Sequence, residues 1–255
     1  MATKPKRKAA SKRAKPAPKK TKPTAKKAKR PAPAKSKRIA APKKPKRPAP
    51  TRSRRIVPAA KTAAPKQLSG KEAIAALEKQ ILEDKKKLAA LRLTLPPEVV
   101  RDYTFQAHDG STITLAEMFG ARQDLIIVHN MGKSCAYCTM WADGFTGLVK
   151  HLENRAAFVV VSKDPVEVQR EFYQSRGWNF RMYSSDGTTF NHDAGFESED
   201  GHQYPGVSVF HKTDTGTIVR TGHTAFGPGD DFCAVWPMFD LLKDGPAGWS
   251  PKFAY

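Results

Sequence analysis

The first 66 residues contain no aspartate, no glutamate, no glycine and no aromatic residue. They hold 26 of the 45 lysines and arginines of the chain and 12 of its 20 prolines. A segment of that composition has almost nothing to bury and repels itself, so a folded domain before residue 67 is excluded and a disordered tail is expected. No apolar run approaches the ~18 residues of a membrane span. The basic start is not followed by the apolar stretch of a signal peptide. Only three cysteines occur in 255 residues, which argues against a disulfide framework and for a reduced, cytosolic setting. The cysteines therefore need another explanation. Over residues 67–255, nineteen basic side chains meet all 24 acidic ones, a net charge of −5, and this length suits one domain with a sizeable core.

Residues 1–66 cycle through Lys, Pro and Ala, which blocks helix and sheet and resembles the tails of linker histones. Ser69 and Glu72 have the spacing of a capping box. They open a helical pattern of Ile74, Leu77, Ile81, Leu88 and Leu91 that ends before Pro96 and Pro97, which defines an amphipathic helix over 67–95. Its apolar face is expected to dock on the domain that follows. A short coiled coil forming a homodimer is the alternative, although Asp84 breaks the heptad at one d position. From residue 96 the pattern changes. Residues 103–107 and 112–115 flank Asp109 and Gly110, a pair that signals a hairpin with a type I′ turn. Residues 125–129 read as a buried strand, and Trp141, Phe145, Leu148, Val149 and Leu152 as a helix. Residues 157–161 form a second strand, then Asp164, Pro165 and Glu167 cap a helix running to about Arg176 with Val168 and Phe172 inward. Strand, helix, strand, helix implies parallel pairing with a right-handed crossover. Residues 207–211 and 217–221 form a hairpin, and Phe232, Val235, Trp236, Phe239 and Leu242 mark a last helix.

Cys135 and Cys138 fall where strand becomes helix. Two thiols separated by two residues on a first helical turn can close a disulfide reversibly, and the helix N-terminus favours the thiolate of the first. Cys135 is thus the expected attacking thiolate and Cys138 the resolving thiol. Lys133 is placed to assist. His129, ending the strand before the dithiol, is a candidate for tuning the thiolate, although a strand-end histidine is more often simply satisfied. The rival readings are inert packing and half of a zinc site, for which His129 and His223 are the available partners, at no motif spacing. No metal and no cofactor is therefore expected. Cys233, beside Val235 and Trp236, reads as a small buried hydrophobe.

Residues 125–129, the Cys135 and Cys138 pair, Trp141 with Asp143 and Phe145, residues 160–162, residues 176–178, Ser184 with Ser185, Phe190 and Asn191 with Asp193, and residues 205–210 follow in an ordered set. That set resembles the bacterial family catalogued as domain of unknown function eight-nine-nine. The resemblance spans about residues 70–255, leading helix included, and leaves the basic tail outside. It implies an α/β, thioredoxin-like fold over 96–255, with a central mixed sheet flanked by helices, and dithiol-disulfide oxidoreductase activity. It also implies a substrate groove shaped by a cis proline, for which Pro205 after Tyr204 is suited, since cis costs only about 0.5–1 kcal/mol at X-Pro. Trp141, Asp143, Trp178, Asn191 and Asp193 hold family positions that could line a pocket. Tryptophans at helical spacing are more often core, however. Two departures bear on substrate preference: the stretch between His129 and Cys135 is shorter than in many relatives, and residues 221–231 fit the pattern poorly.

The expected partners are a disulfide-bearing substrate, a thiol electron donor and, through residues 1–66, nucleic acid bound without sequence preference. The alternative is a DNA-associated protein whose thioredoxin-like domain is non-catalytic. With no aromatic in the tail to stack on bases, only phosphate neutralisation remains. Full-length protein should bind unrelated duplexes about equally, and raising salt from about 50 to 200 mM should weaken binding by ~10³-fold if at least six phosphates are engaged. Gel shifts on the full chain and on 67–255 test this, and DNA affinity kept by the shorter chain would place the site elsewhere.

Overall fold

The computed structural model describes residues 69–255; the basic tail expected over 1–66 lies outside them. The first helix, α1 (Gly70–Arg92), opens on the anticipated box: Glu72 N–H donates to Ser69 Oγ at 3.3 Å, and Ser69 N–H donates to the Glu72 carboxylate at 2.8 Å. Its apolar face does not dock as expected. No residue of α1 is buried, and Ile74, Leu77, Ile81, Leu88 and Leu91 stand between 46 and 63 % exposed.

After α1 come the strands β1 (Glu98–Val99), β2 (Thr104–Gln106) and β3 (Thr112–Thr114) and the short helix α2 (Leu115–Met118). The dithiol unit is β4 (Asp124–His129), α3 (Ala136–Arg155) and β5 (Ala157–Ser162). Then follow α4 (Val166–Arg176), β6 (Arg181–Ser184), α5 (Phe190–Asp193), β7 (Gly206–Lys212), β8 (Ile218–Ala225) and α6 (Val235–Asp240). The eight strands among the described residues join one mixed sheet in the order β1-β8-β7-β4-β5-β6-β2-β3. Its centre is a parallel β4–β5 pair linked by α3, with the antiparallel β7–β8 hairpin beside β4. This is the thioredoxin-like arrangement.

Alternation along the central strands builds two cores, because successive side chains point to opposite faces. Val128, Phe158 and Val160 pack with Trp141, Phe145, Trp178 and Phe180 on one face. Leu125, Ile127, Val159 and Val161 pack with Phe105, Leu115, Phe119 and Phe190 on the other.

Several local details differ from the sequence expectation. The β2–β3 hairpin exists, but of the Asp109 and Gly110 pair only Gly110 has positive φ, at 86°, so the turn is not type I′, which needs both. Asp164 does not cap α4; its carboxylate turns toward the dithiol loop and leaves Pro165 as an N-cap without a side-chain bond. The buried positions of α4 are Val166 and Gln169, with Val168 at the boundary. The last helix is one and a half turns long, with Trp236 as its one buried side chain, while Leu242 is exposed. The peptide bond before Pro205 is trans, since no cis peptide occurs among the described residues. The residue before a proline favours extended backbone in either isomer, and a trans bond serves for entry into β7.

Gly206, the first residue of β7, is a point of close approach. A Cβ there would meet the Phe196 ring and lie 2.6 Å from the backbone oxygen of Thr224. Because a backbone carbonyl in a paired strand cannot swing away, Gly206→Ala should destabilise the fold by about 1–3 kcal/mol. Denaturant unfolding checks this, and an unchanged midpoint would show that the contact relaxes freely.

Candidate active site

β4 ends at His129, and the chain must reach the start of α3 in six residues. Three backbone anchors shape that loop. Asn130 N–H donates to the Val161 carbonyl at 2.9 Å, extending the pairing of β4 with β5. The Asn130 side-chain oxygen accepts the Gly132 N–H at 2.8 Å, and its amide group donates to the Cys138 carbonyl at 3.4 Å. The Asp164 carboxylate, arriving from the end of β5, accepts the Lys133 N–H at 2.7 Å. Gly132 has a φ of 90°, and that carboxylate occupies the space a Cβ would need. Only glycine satisfies both constraints at once.

Cys135 is the N-cap of α3. Its Sγ accepts the Cys138 N–H at 3.0 Å, the bond a serine or aspartate side chain makes at an ordinary N-cap. Its carbonyl accepts both the N–H and the hydroxyl of Thr139, each at 3.0 Å. The thiol of Cys135 is half-buried, whereas Cys138 is 2 % exposed. Hydrogen bonding from the Cys138 side chain and from the Cys138 and Tyr137 amides outweighs burial and draws the Cys135 pKa down to about 7. The Cys138 thiol is pushed up, because it donates to its neighbour and because it is buried. The two cysteines, alike in sequence, are thus chemically unlike in the fold.

The other sequence candidates divide into two groups. Trp141 is buried in the same core as Cys138, with its ring centroid 6.2 Å from that of Tyr137 and 6.5 Å from that of Trp236. Lys133 contributes its backbone amide to the Asp164 contact, and its side chain is exposed. His129 faces the sheet rather than the thiols. Its Nε2 lies 2.9 Å from Ser208 Oγ, its ring stacks on Phe196 at 3.9 Å, and burial holds its pKa down at about 3. Gly206 pairs with His129, which sets Pro205 one residue beyond the sheet end from which the dithiol loop departs. The Pro205 carbonyl accepts the Phe226 N–H at 2.9 Å, and Tyr204 beside it is exposed.

Asp143 ties helices together: its carboxylate accepts from the Arg176 guanidinium and, at 2.8 Å, from the Trp178 indole N–H. Buried Asn191 accepts the Ser185 hydroxyl proton at 3.1 Å, while Asp193 binds Arg101 at 2.6 Å and the Tyr103 hydroxyl at 2.9 Å. These two form separate sites. Cys233 precedes α6, packs at the edge of the dithiol core and has its pKa raised by burial. Asn130 and Thr139, which shape the loop and the first turn, carry no motif signal in the sequence, and Asp164 reads there as a helix cap. An Asp-Pro pair signals a helix start as readily as it signals a long-range anchor.

Residues 62–251 match the family described as Bacterial protein of unknown function (DUF899). Comparison with curated proteins found no match. Among solved structures, a peroxidoxin from Mycobacterium tuberculosis is 19 % identical, with 51 % of this chain and 80 % of that one covered at a TM-score of 0.40. A peroxiredoxin-like protein from Aquifex aeolicus is 15 % identical, with 51 and 74 % covered and a TM-score of 0.41. A mitochondrial peroxiredoxin from Plasmodium falciparum is 15 % identical, with 52 and 83 % covered and a TM-score of 0.40.

A lowered pKa places the thiolate within reach at neutral pH. The alkylation rate of Cys135 should rise about tenfold per pH unit up to pH ~7 and level off above it, ahead of Cys138 and Cys233 at every pH. Peptide mapping of iodoacetamide-labelled protein reads this out. A profile centred near the ~8.5 of a free thiol would show that the N-cap bonds do not stabilise the anion.

Proposed function

Since the chain belongs to the bacterial family DUF899, whose chemistry its description leaves open, we propose that it is a thiol-disulfide oxidoreductase acting through Cys135 and Cys138. The observation that carries this reading is the Cys138 N–H bonded to Cys135 Sγ at 3.0 Å, which stabilises one anion and leaves the second thiol protonated behind it.

The Cys135 thiolate attacks one sulfur of a substrate disulfide. A mixed disulfide forms, and the other substrate sulfur leaves as a thiolate that takes a proton from water. Cys135 then carries no negative charge, which removes one of the causes holding the Cys138 proton. Cys138 gives up that proton, attacks Cys135 Sγ, closes the 135–138 disulfide and releases the second substrate sulfur, which leaves as a thiolate while the proton passes to water. Two electrons pass from the cysteine pair to the substrate, and a thiol donor restores the pair. Lys133 and the exposed Tyr204 beside Pro205 border the route by which a substrate disulfide arrives, with Pro205 and Tyr204 as the groove, while the buried Trp141, His129 and Asp143 act through the frame around it.

A second reading rests on the charge division: all the positive excess lies in residues 1–66. That segment then holds the protein on nucleic acid, and the domain serves there either as a reductase or as a non-catalytic docking module.

Cys135→Ser should abolish reduction of a small aromatic disulfide, and Cys138→Ser should accumulate mixed disulfides on Cys135 that dithiothreitol releases. Activity surviving in Cys135→Ser, or stoichiometric zinc in the protein as purified, would overturn the redox assignment. Catalytically silent but intact thiols would favour the docking module.

A further inference from the structure

The two half-reactions of the dithiol draw on different parts of the backbone. The Cys135 anion is held by α3 itself, since its Sγ accepts the Cys138 N–H at 3.0 Å and the Tyr137 amide also favours it. Cys138 lies deeper, and other groups act on it. Its proton is held first by the bond it donates to Cys135, then by burial and by the Cys135 charge, while the backbone amides of Met131 and of Cys138 itself favour the anion. In the mixed disulfide Cys135 is neutral and its Sγ is bonded to a substrate sulfur. The charge is then gone and the bond to it weakened, so burial and the amides decide how readily Cys138 becomes a thiolate. Of those amides, that of Met131 comes from the loop before α3.

A single side chain ties that stretch of the loop to the resolving cysteine. Asn130 is 5 % exposed. Its backbone N–H donates to the Val161 carbonyl at 2.9 Å, its Oδ1 accepts the Gly132 N–H at 2.8 Å, and its Nδ2 donates to the Cys138 carbonyl at 3.4 Å. Met131 lies between the two anchored amides, and its side chain packs against the core that contains Cys138. Asn130 therefore joins the sheet, the turn and the residue that bears the second thiol. Building on the oxidoreductase reading, we infer that Asn130 is the positioning residue of the resolving step, holding the Met131 amide toward the Cys138 sulfur, whereas the attacking step depends on the first turn of α3. In the resolving step Cys138 gives its proton to water and its sulfur attacks Cys135 Sγ. The 135–138 bond forms as the bond from Cys135 to the substrate sulfur breaks, and that sulfur leaves with the electron pair as a thiolate. Asn130 exchanges no bond itself.

Stopped-flow mixing with dithiobis(nitrobenzoate), an aromatic disulfide whose thiolate is coloured, reads the two steps apart. Full-length reduced protein is used in a Cys233→Ala background, which removes the third thiol. With Asn130 in place, one equivalent of coloured thiolate should appear in a phase whose rate scales with reagent. A second should follow in a phase that does not, as Cys138 displaces the aryl thiolate from Cys135. Asn130→Ala should slow the second phase about tenfold, the weight of one hydrogen bond, and leave the first within about twofold. Asn130→Ser, whose hydroxyl accepts the Gly132 N–H in the same turn more weakly, should fall between the two. It also carries the test if far-UV circular dichroism shows the alanine variant unfolded. Both phases slowed alike, or a second phase equally fast in every folded variant, overturns the proposal. A protein with Asn130 that labels Cys135 but releases no second equivalent overturns instead the oxidoreductase reading on which the proposal rests.

Discussion

The hydrogen bond from the Cys138 amide to Cys135 Sγ is the constraint on which the site depends. It exists because Cys135 takes the N-cap of α3, where the first amides of the helix have no partner of their own. Sulfur replaces the oxygen that normally fills this place, so a backbone need and a chemical function are met by one contact. The same contact makes the cysteines unequal. One faces outward and is stabilised as an anion, and the other is held protonated beneath it.

Holding Cys135 at that cap requires the loop before it to stay in place, and the sheet supplies the fixed points. Parallel pairing of β4 with β5 brings the ends of both strands together, so that Asp164 from one reaches Gly132 and Lys133 from the other. Asn130 closes the loop from below, toward the Cys138 carbonyl. A loop of six residues thus carries bonds from β5, from α3 and from its own side chains. The frame around it is stiffened by groups with no contact to sulfur. Asp143 links α3 to Arg176 and Trp178, and His129 is sealed neutral between Phe196 and Ser208.

Much of this was legible from periodicity. The capping box at Ser69 is a contact within three residues, and the strands and helices of the β4–α3–β5 unit and of the β7–β8 hairpin each carry their own apolar spacing, which a local pattern reports. The position of the dithiol at the strand-to-helix junction follows from the same patterns. Where the reading failed, the cause was a competing long-range contact or a missing one. Asp164 looked like a helix cap and instead crosses to the dithiol loop. The face of α1 looked like a docking face and has no partner within the described residues. Asp109 and Gly110 looked like a two-residue turn, yet only Gly110 adopts the left-handed backbone that both positions of such a turn demand.

By itself the sequence determined the segregation of charge, the β4–α3–β5 unit with the β7–β8 hairpin, and the presence of two thiols on the first turn of a helix. Composition and spacing are sufficient for those, because they depend on neighbours along the chain. Tertiary structure decided which thiol is exposed, how far each pKa moves, that the peptide bond before Pro205 is trans, and that α1 leaves its apolar stripe uncovered. These depend on groups brought together from distant parts of the chain, on burial and on the orientation of amides in space, none of which a linear pattern records.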